Sequence, residues 1–99
     1  MNEKLTFSNI IGKMLLVGIT RKNNEGKFIA YEQHHGKICY ADEHKGITIR
    51  NPQGKEFTIP PQLSNIHVAE PGIYEEETTG IIIENPDFIS SWIINEPQK

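Results

Sequence analysis

The chain has a single cysteine, Cys39, among its 99 residues. One cysteine excludes an internal disulfide and supplies no pair of thiolate ligands for a metal. A long hydrophobic run is also missing, since the apolar run near the N-terminus, residues 10–19, is interrupted by Lys13 and is far shorter than the roughly 20 residues of a membrane-spanning helix. The small residues of a signal-peptide cleavage site do not follow it. These absences predict a cytoplasmic protein with no membrane partner.

The remaining composition is that of an ordinary folded domain, with 36% hydrophobic and 23% charged residues. A chain of this length supports one core, so a single domain over residues 1–99 is expected. Within it we distinguish an N-terminal arm at 1–12, a main β-region at 13–69 and a C-terminal strand extension at 70–95. Residues 1–9 and 95–99 have no periodic pattern and are expected to be mobile.

Alternating and short apolar segments predict strands through the main β-region. Residues 14–20 form a buried strand, and residues 21–26 form a hairpin loop. A long second strand at 27–41 is expected to bend or bulge at Gly36, because a glycine inside a strand removes the side chain at such a place. Residues 46–50 and 55–59 read as two strands joined by a turn at 51–54.

The register of the fourth strand follows from its alternation. Phe57 and Ile59 alternate with Glu56 and Thr58, so the first pair is predicted to face the core and the second pair the solvent. Two consecutive prolines at 60–61 end that strand, since neither can donate to a ladder. One helical turn at 62–64 and a closing strand at 65–69, with its Ile66 and Val68 side chains inward, complete the region.

Three further strands are predicted in the C-terminal extension. They are an acidic strand at 73–78, a short apolar strand at 80–84 and a final strand at 88–94. The last two are expected to pair as a hairpin that covers part of the main region. One face of the final strand carries Phe88, Ser90, Trp92 and Ile94. Phe88 and Trp92 are expected in the core, because large apolar side chains on one face of a strand pack inward.

The order of these elements resembles the five-stranded SH3-like small barrel, a group that includes SH3, Tudor-type and Sm-like domains. The resemblance covers residues 13–69 and implies an all-β fold, an SH3-like five-stranded barrel with a short 3₁₀ turn and an added C-terminal β-hairpin. The helical turn carries Leu63 and Ser64 where the SH3 peptide groove has an aromatic residue, and the turn at 51–54 lacks the basic-glycine pair of the Sm-like RNA motif. The resemblance therefore implies a fold and no ligand.

The whole chain also resembles small stand-alone bacterial proteins of uncharacterised function, and that likeness implies no activity. It rests on four short segments: Val17-Gly18-Ile19-Thr20, His35-Gly36, Pro60-Pro61 and Asn85-Pro86-Asp87-Phe88.

One stretch contains the residue types of metal and acid–base sites. Its members are His34, His35, Cys39, Asp42, Glu43 and His44. On a straight strand His35 and Cys39 are about 13 Å apart, which is beyond the reach of one zinc ion, and no closely spaced ligand pair is present. We therefore expect these residues to face solvent, with no metal and no cofactor. The serines and Cys39 lack a nucleophile context, so a non-enzymatic protein is predicted.

Charge is distributed unevenly along the chain. Residues 1–69 contain 9 Lys or Arg and 6 Asp or Glu, whereas residues 70–99 contain 1 and 7. The acidic side chains predict a possible partner surface made of Glu75, Glu76, Glu77, Glu84 and Asp87. The main hypothesis is accordingly a protein-binding module with an unidentified protein partner. An alternative is an immunity or antitoxin-like inhibitor that steers a basic toxin onto these carboxylates.

A third hypothesis is binding of RNA or single-stranded DNA through basic side chains of the main β-region, with Tyr31 and Tyr40 pointing outward to stack on bases. The cations are Arg21, Lys22, Lys27, Lys37, Lys45, Arg50 and Lys55. Their spacing is diffuse, and the pI of about 5.8 argues against nucleic acid as the partner. The sequence does not indicate an oligomeric state.

Overall fold

The computed structural model describes residues 4–77 and 79–96 of the chain, and these residues form an all-β fold. The strands are β1 Met14–Lys22, β2 Phe28–Asp42, β3 Gly46–Arg50, β4 Glu56–Ile59, β5 His67–Val68, β6 Ile73–Glu75, β7 Ile82–Glu84 and β8 Phe88–Asn95, with a 3₁₀ turn at Leu63–Asn65. Within the described ranges no helix has the length and apolar character needed to cross a membrane. Residues 1–3, 78 and 97–99 lie outside the described residues. The mobility expected at 1–3 and 97–99 and the end of the acidic strand at residue 78 therefore fall outside them as well.

Six of the strands form one sheet in the order β4-β3-β2-β1-β8-β5, and β6 and β7 form a separate two-stranded ribbon. The first four strands are an antiparallel meander, as predicted. The main sheet is open, so the expectation of a closed five-stranded barrel is wrong. The reason is that β8 lies against β1 along eight residue pairs, whereas β5 has only two residues and pairs with β8.

The prediction that the last two strands pair with each other as a C-terminal hairpin is wrong. β7 pairs with β6, and β8 runs parallel to β1, between β1 and β5 of the main sheet. The chain leaves β7 through Asn85, which has a positive φ of 49°, and the Asp87 carboxylate then accepts a 2.8 Å hydrogen bond from the backbone N–H of Met14. This bond attaches the start of β8 to the start of β1 and directs the strand away from a hairpin.

The core lies on one face of the main sheet. Its fully buried side chains include Leu15, Val17 and Ile19 of β1, none more than 1% exposed. Ile59 is 3% exposed and Phe88 is 8% exposed, as their registers predict. The remaining buried members of this cluster are Ile10, Ile38, Ile47, Ile49 and Ile66.

Some inward predictions hold only in part. Phe57 is half-buried against the core, Trp92 packs on the same cluster, and Ile94 at the end of β8 is exposed. Val68 was expected inward and is instead 75% exposed, because β5 is too short to keep a two-residue alternation and Ala69 takes the buried position.

The N-terminal arm packs against the core over residues 4–12, without forming a helix or a strand. Thr6 and Asn9 bond reciprocally, each side-chain oxygen accepting from the other residue's backbone N–H at 2.9 and 3.0 Å. Ile10 is fully buried, and Leu5 and Phe7 pack against the core. These apolar side chains anchor the arm because they cover core surface that the open sheet would otherwise leave in water.

The glycine at the expected bend, Gly36, is required for a steric reason. A Cβ atom at Gly36 would collide with the backbone carbonyl of Arg50, so only glycine allows the end of β3 to approach β2 this closely. The β2–β3 ladder is irregular between Ile38 and Tyr40, where Cys39 is the extra residue. The bulge therefore lies at Cys39, three residues beyond the glycine, and the β1–β2 register continues unbroken across Gly36.

The second face of the main sheet, opposite the core, is called here the outer face. It carries the β1 residues Leu16, Gly18 and Thr20. The β6–β7 ribbon lies against this face at β2, where Glu76 bonds to His35 and Glu77 bonds to Gln33. Phe28 and Tyr31, farther along β2 on the same face, are exposed.

Candidate functional site

More than half of β2 has a neighbouring strand on one side only. β2 contains 15 residues and pairs with β1 from Phe28 to Lys37. β3 pairs with β2 only from Lys37 to Asp42. Residues 28–36 therefore form a sheet edge, called here the open edge, along which no strand among residues 4–77 and 79–96 is paired.

The direction of the backbone groups on this edge follows from one pair of hydrogen bonds. The Ile38 N–H donates to the Lys13 carbonyl, and the Ile38 carbonyl accepts from the Gly12 N–H, so Ile38 faces the β1 side. The β1–β2 register is unbroken from residue 30 to residue 37. Because backbone groups alternate along an antiparallel strand, the N–H and C=O of Tyr31 and Gln33 point away from β1, toward the open edge.

Large apolar side chains stand beside the open edge on the outer face. Phe28 is 65% exposed, Tyr31 is 40% exposed and Ile93 of β8 is 63% exposed. Tyr31 and Ile93 both lie opposite Thr20 of β1, so they share one row across three strands. The Tyr31 ring also lies over Gly18, which has no side chain to displace it. Phe28 and Tyr31 lie beside the open edge, and Ile93 lies two strands away on the same face. Exposed large apolar side chains grouped on one face are typical of an interaction surface.

A cleft of about 220 Å³ lies at the end of the open edge. One wall is β2 at residues 33–35, and a second is the turn between β3 and β4 with the half-buried ring of Phe57. The third wall is formed by Glu76, Thr79 and Ile81 next to the β6–β7 ribbon. The cleft exists because the β3–β4 turn diverges from β2 beyond Lys37, so the two segments no longer pair.

A buried histidine–carboxylate pair forms the base of the cleft. His35 Nδ1 lies 2.6 Å from Glu76 Oε2, and the two side chains are 7% and 4% exposed. The Thr79 hydroxyl donates to Glu76 Oε1 at 2.9 Å and accepts from the Ile81 N–H at 3.2 Å. An ionised carboxylate has only acceptors, so Nδ1 of His35 carries the hydrogen in this pair. The pair fixes both the histidine ring and the position of the ribbon.

The neighbouring histidine belongs to a different network, on the core face of β2. His34 Nε2 lies 2.8 Å from Glu32 Oε2, and its ring stacks on Phe57 with centroids 3.7 Å apart and planes 8° from parallel. Arg21 forms an ion pair with the same carboxylate. The hydrogen bond from Arg21, followed by that from His34, lowers the pKa of Glu32 below its ordinary value. The Glu32 hydrogen bond in turn raises the pKa of Arg21.

The candidate acidic surface is smaller than predicted. Glu75, Glu77 and Glu84 are exposed, and Asp87 is exposed while bonded to the β1 backbone. Glu76 is 3% exposed and bound to His35, so it is not available to a partner. The burial of Glu76 could have been predicted from the alternation of this segment. Positions two apart on a strand share a face, and Glu76 is two residues from the inward Tyr74.

The histidine-rich stretch does not assemble into one site. His35, expected to face solvent, is buried because the ribbon covers it. Cys39 is exposed on the bulge, and its thiol donates to the Thr48 carbonyl at 3.5 Å, whereas His44 lies in the loop beside Glu43. Among the residues that the structure describes, no three His, Cys, Asp or Glu side chains are placed to hold a metal ion.

The predicted basic surface is interrupted by ion pairs. Arg21 pairs with Glu32 and Glu96, and Arg50 pairs with Glu56. Tyr31 and Tyr40 do point outward as expected, at 40% and 43% exposure. A second cavity of about 410 Å³ adjoins this region and is lined by Met14, Gly36, Lys37, Cys39, Arg50, Asn51 and Pro52.

No protein-family model, no curated protein and no solved structure matches this chain.

Proposed function

We propose that the protein is a non-enzymatic protein-binding module that accepts an extended segment of a partner as an added strand along the open edge of β2. The observation that carries this proposal is the early end of the β2–β3 ladder at Lys37, which leaves the outward N–H and C=O groups of Tyr31 and Gln33 without a neighbouring strand. An extended backbone supplies the complementary alternation of donors and acceptors, and strand addition is an established mode of peptide recognition.

The side chains beside the edge support the same proposal. Sheet edges exposed to water are usually protected by lysine, proline or inward charges, because an unprotected edge pairs with other chains. Here the edge begins Phe28-Ile29-Ala30-Tyr31, and Phe28, Ile29 and Tyr31 are 65%, 47% and 40% exposed. A segment lying along this edge would bury apolar surface in addition to forming backbone hydrogen bonds.

We also propose that the main region is related to SH3-like domains, in which the same strand order closes into a barrel. The support is the β1–β4 meander with its long bent β2, followed by the 3₁₀ turn and a short β5. In this proposal the insertion of β8 beside β1 keeps the sheet open and leaves the first half of β2 accessible.

The test compares two substitutions at one position. Gln33→Ala and Gln33→Pro both remove the side chain that accepts a hydrogen bond from Glu77 N–H, but only proline also removes the outward backbone N–H. We expect partner capture from the source cell to survive Gln33→Ala and to fall at least about tenfold in Gln33→Pro, because proline removes one backbone bond and blocks the edge sterically. Circular dichroism of both variants checks that the fold is retained.

A second pair of variants tests the side-chain contribution. Phe28→Ser should weaken capture of the same partner, whereas Ile73→Ser, at a residue 73% exposed on the ribbon, should not. Equal capture by Gln33→Pro and Gln33→Ala, with no specific effect of Phe28→Ser, would refute strand addition at this edge.

A second candidate function is inhibition of a basic protein by the acidic side of the ribbon. Glu75 pairs with Ile82 and Glu84 pairs with Ile73, so both carboxylates lie on one exposed face of the β6–β7 ribbon. Carboxylates grouped in this way raise the association rate of a cationic partner. Glu75→Lys combined with Glu84→Lys should then abolish rescue of cells that express the toxin, while Gln33→Pro should leave rescue intact.

A further inference from the structure

We infer that the cleft beside the open edge is a binding subsite in which His35 presents a bare ring nitrogen, Nε2, as a hydrogen-bond acceptor. The subsite takes an apolar group that carries one hydrogen-bond donor, such as a phenol or an alcohol. That this group belongs to a side chain of a bound protein segment rests on the proposed function. The hydrogen-bonding chemistry of the cleft is argued from its own side chains and does not depend on the proposed function.

The first step of the argument is the direction of the hydrogen bonds below the cleft. Ile81 N–H donates to the Thr79 hydroxyl, so the hydroxyl uses its single hydrogen for Glu76 Oε1. The second carboxylate oxygen, Oε2, then accepts from His35 Nδ1. Every hydrogen in this series of hydrogen bonds points toward the carboxylate. A neutral imidazole in this position therefore carries its hydrogen on Nδ1 and a lone pair on Nε2.

The second step is the position of that lone pair. His35 is 93% buried by its side chain and lines the cleft, and Nε2 has no hydrogen-bond partner in the described part of the chain. Among the described residues, the fully enclosed side-chain polar atoms without a partner are Ser90 Oγ and Trp92 Nε1. His35 Nε2 is therefore not sealed in the interior, and a donor that enters the cleft can reach it. The carboxylate also fixes the tautomer and the orientation of the ring, as a carboxylate bonded to the second ring nitrogen does for histidines in metal sites.

The third step is the size and polarity of the space. The cleft measures about 220 Å³, and an apolar cavity of about 150 Å³ accommodates benzene. Ile49, Phe57 and Ile81 form the apolar part of the wall, and the other lining residues are polar or charged. A single six-membered ring fits the volume and can rest on the apolar part of the wall while its hydroxyl donates to His35 Nε2.

The test uses two probes of nearly equal shape. Phenol and toluene are titrated into the ¹⁵N-labelled full chain at mildly alkaline pH, and the ring nitrogens of His35 are observed by NMR. We expect a hydrogen on Nδ1 and none on Nε2 in the free protein. We expect phenol to shift the Nε2 signal and to bind at least about tenfold more tightly than toluene, the effect of one hydrogen bond to a buried acceptor.

Glu76→Gln provides a matched variant that changes the direction of the network. The Thr79 hydroxyl still requires an oxygen acceptor, so the amide NH₂ of the new side chain faces His35 Nδ1 and the ring hydrogen moves to Nε2. Phenol should then lose its advantage, and acetophenone, which carries an acceptor, should bind more tightly than toluene. The wild-type NMR result stands as a test even if this variant does not fold.

The inference is overturned if the hydrogen is on Nε2 in the neutral wild-type protein. It is equally overturned if phenol and toluene bind alike or if neither shifts His35. These outcomes leave strand addition untouched, because partner capture by the Gln33 variants measures the open edge separately. If Gln33→Pro and Gln33→Ala captured the partner equally while phenol still bound more tightly than toluene, strand addition would be refuted and the subsite would be supported.

Discussion

Removal of the Glu76 side chain should destabilise the protein far more than removal of its neighbour Glu77. Glu76→Ala deletes a carboxylate that is 3% exposed and accepts bonds from His35 and Thr79. Each buried group left without a partner costs about 1–3 kcal/mol, and water entering from the cleft offsets part of that cost. We therefore expect a loss of about 2–4 kcal/mol in the free energy of unfolding. The Glu77 side chain is exposed, and only its backbone N–H is bonded, to Gln33.

Urea denaturation of the wild type and the two variants measures this difference, and thermal melts provide an independent check. For a domain of this size each 1 kcal/mol corresponds to about 4–8 °C in Tm, so Glu76→Ala should melt at least about 8 °C below the wild type. Glu77→Ala should stay within about 0.5 kcal/mol, as exposed substitutions do. Equal stability of the two variants would contradict the attachment of the ribbon through a buried His35–Glu76 pair. It would also contradict the placement of Glu76 in the third wall of the cleft.

Three further predictions concern the main sheet. Ile59→Ala should cost about 2–5 kcal/mol, the usual result of deleting a buried branched side chain, whereas Thr58→Ala should cost about 0.5 kcal/mol or less; denaturant melts showing the reverse order would refute the β4 register. Gly36→Ala should cost about 1–3 kcal/mol because its methyl group meets backbone of the facing strand, and a neutral melt would contradict that close approach. Because Arg21 lowers the pKa of folded Glu32 below its ordinary 4.5, the wild type should exceed Glu32→Gln in stability above that pH and lose the advantage as the pH falls further; urea melts across the acid range that show a constant difference would contradict this linkage.

The meander could be predicted from sequence because its information is local. The alternation of Phe57 and Ile59 with their polar neighbours sets a register, and the turn at 51–54 closes on itself through bonds to the Asn51 side chain and a Gly54 with φ of 86°. The existence of strand β2 was predictable for the same reason. Each of these features requires only residues that are close together in the chain or in adjacent strands.

The position of β8 could not be predicted in this way. Its alternation identifies Phe88 and Ser90 as inward, and both are buried, but alternation determines a face and not a neighbouring strand. The parallel pairing with β1 depends on contacts between residues more than 70 positions apart, such as the bond from Met14 N–H to Asp87. The barrel expectation failed at this point, because the edge of β1 that closure requires is occupied by β8.

The candidate site was hidden from sequence for a related reason. The open edge exists because β3 ends opposite Lys37 while β2 extends nine residues further back, and neither strand alone reveals the difference in length. The pairing of His35 with Glu76 joins residues 41 positions apart. The acidic run 75–77 therefore looked uniform in sequence, although its middle residue is buried.

The account depends most directly on the open edge of β2, and amide hydrogen exchange measured residue by residue tests it. In the free protein the N–H groups of Glu32 and His34 face β1 and should be protected, whereas those of Tyr31 and Gln33 should exchange at least about tenfold faster. A bound partner segment should slow the exchange of Tyr31 and Gln33 to the level of their neighbours. Equal protection of all four amides in the free protein would contradict the open edge and the function proposed for it.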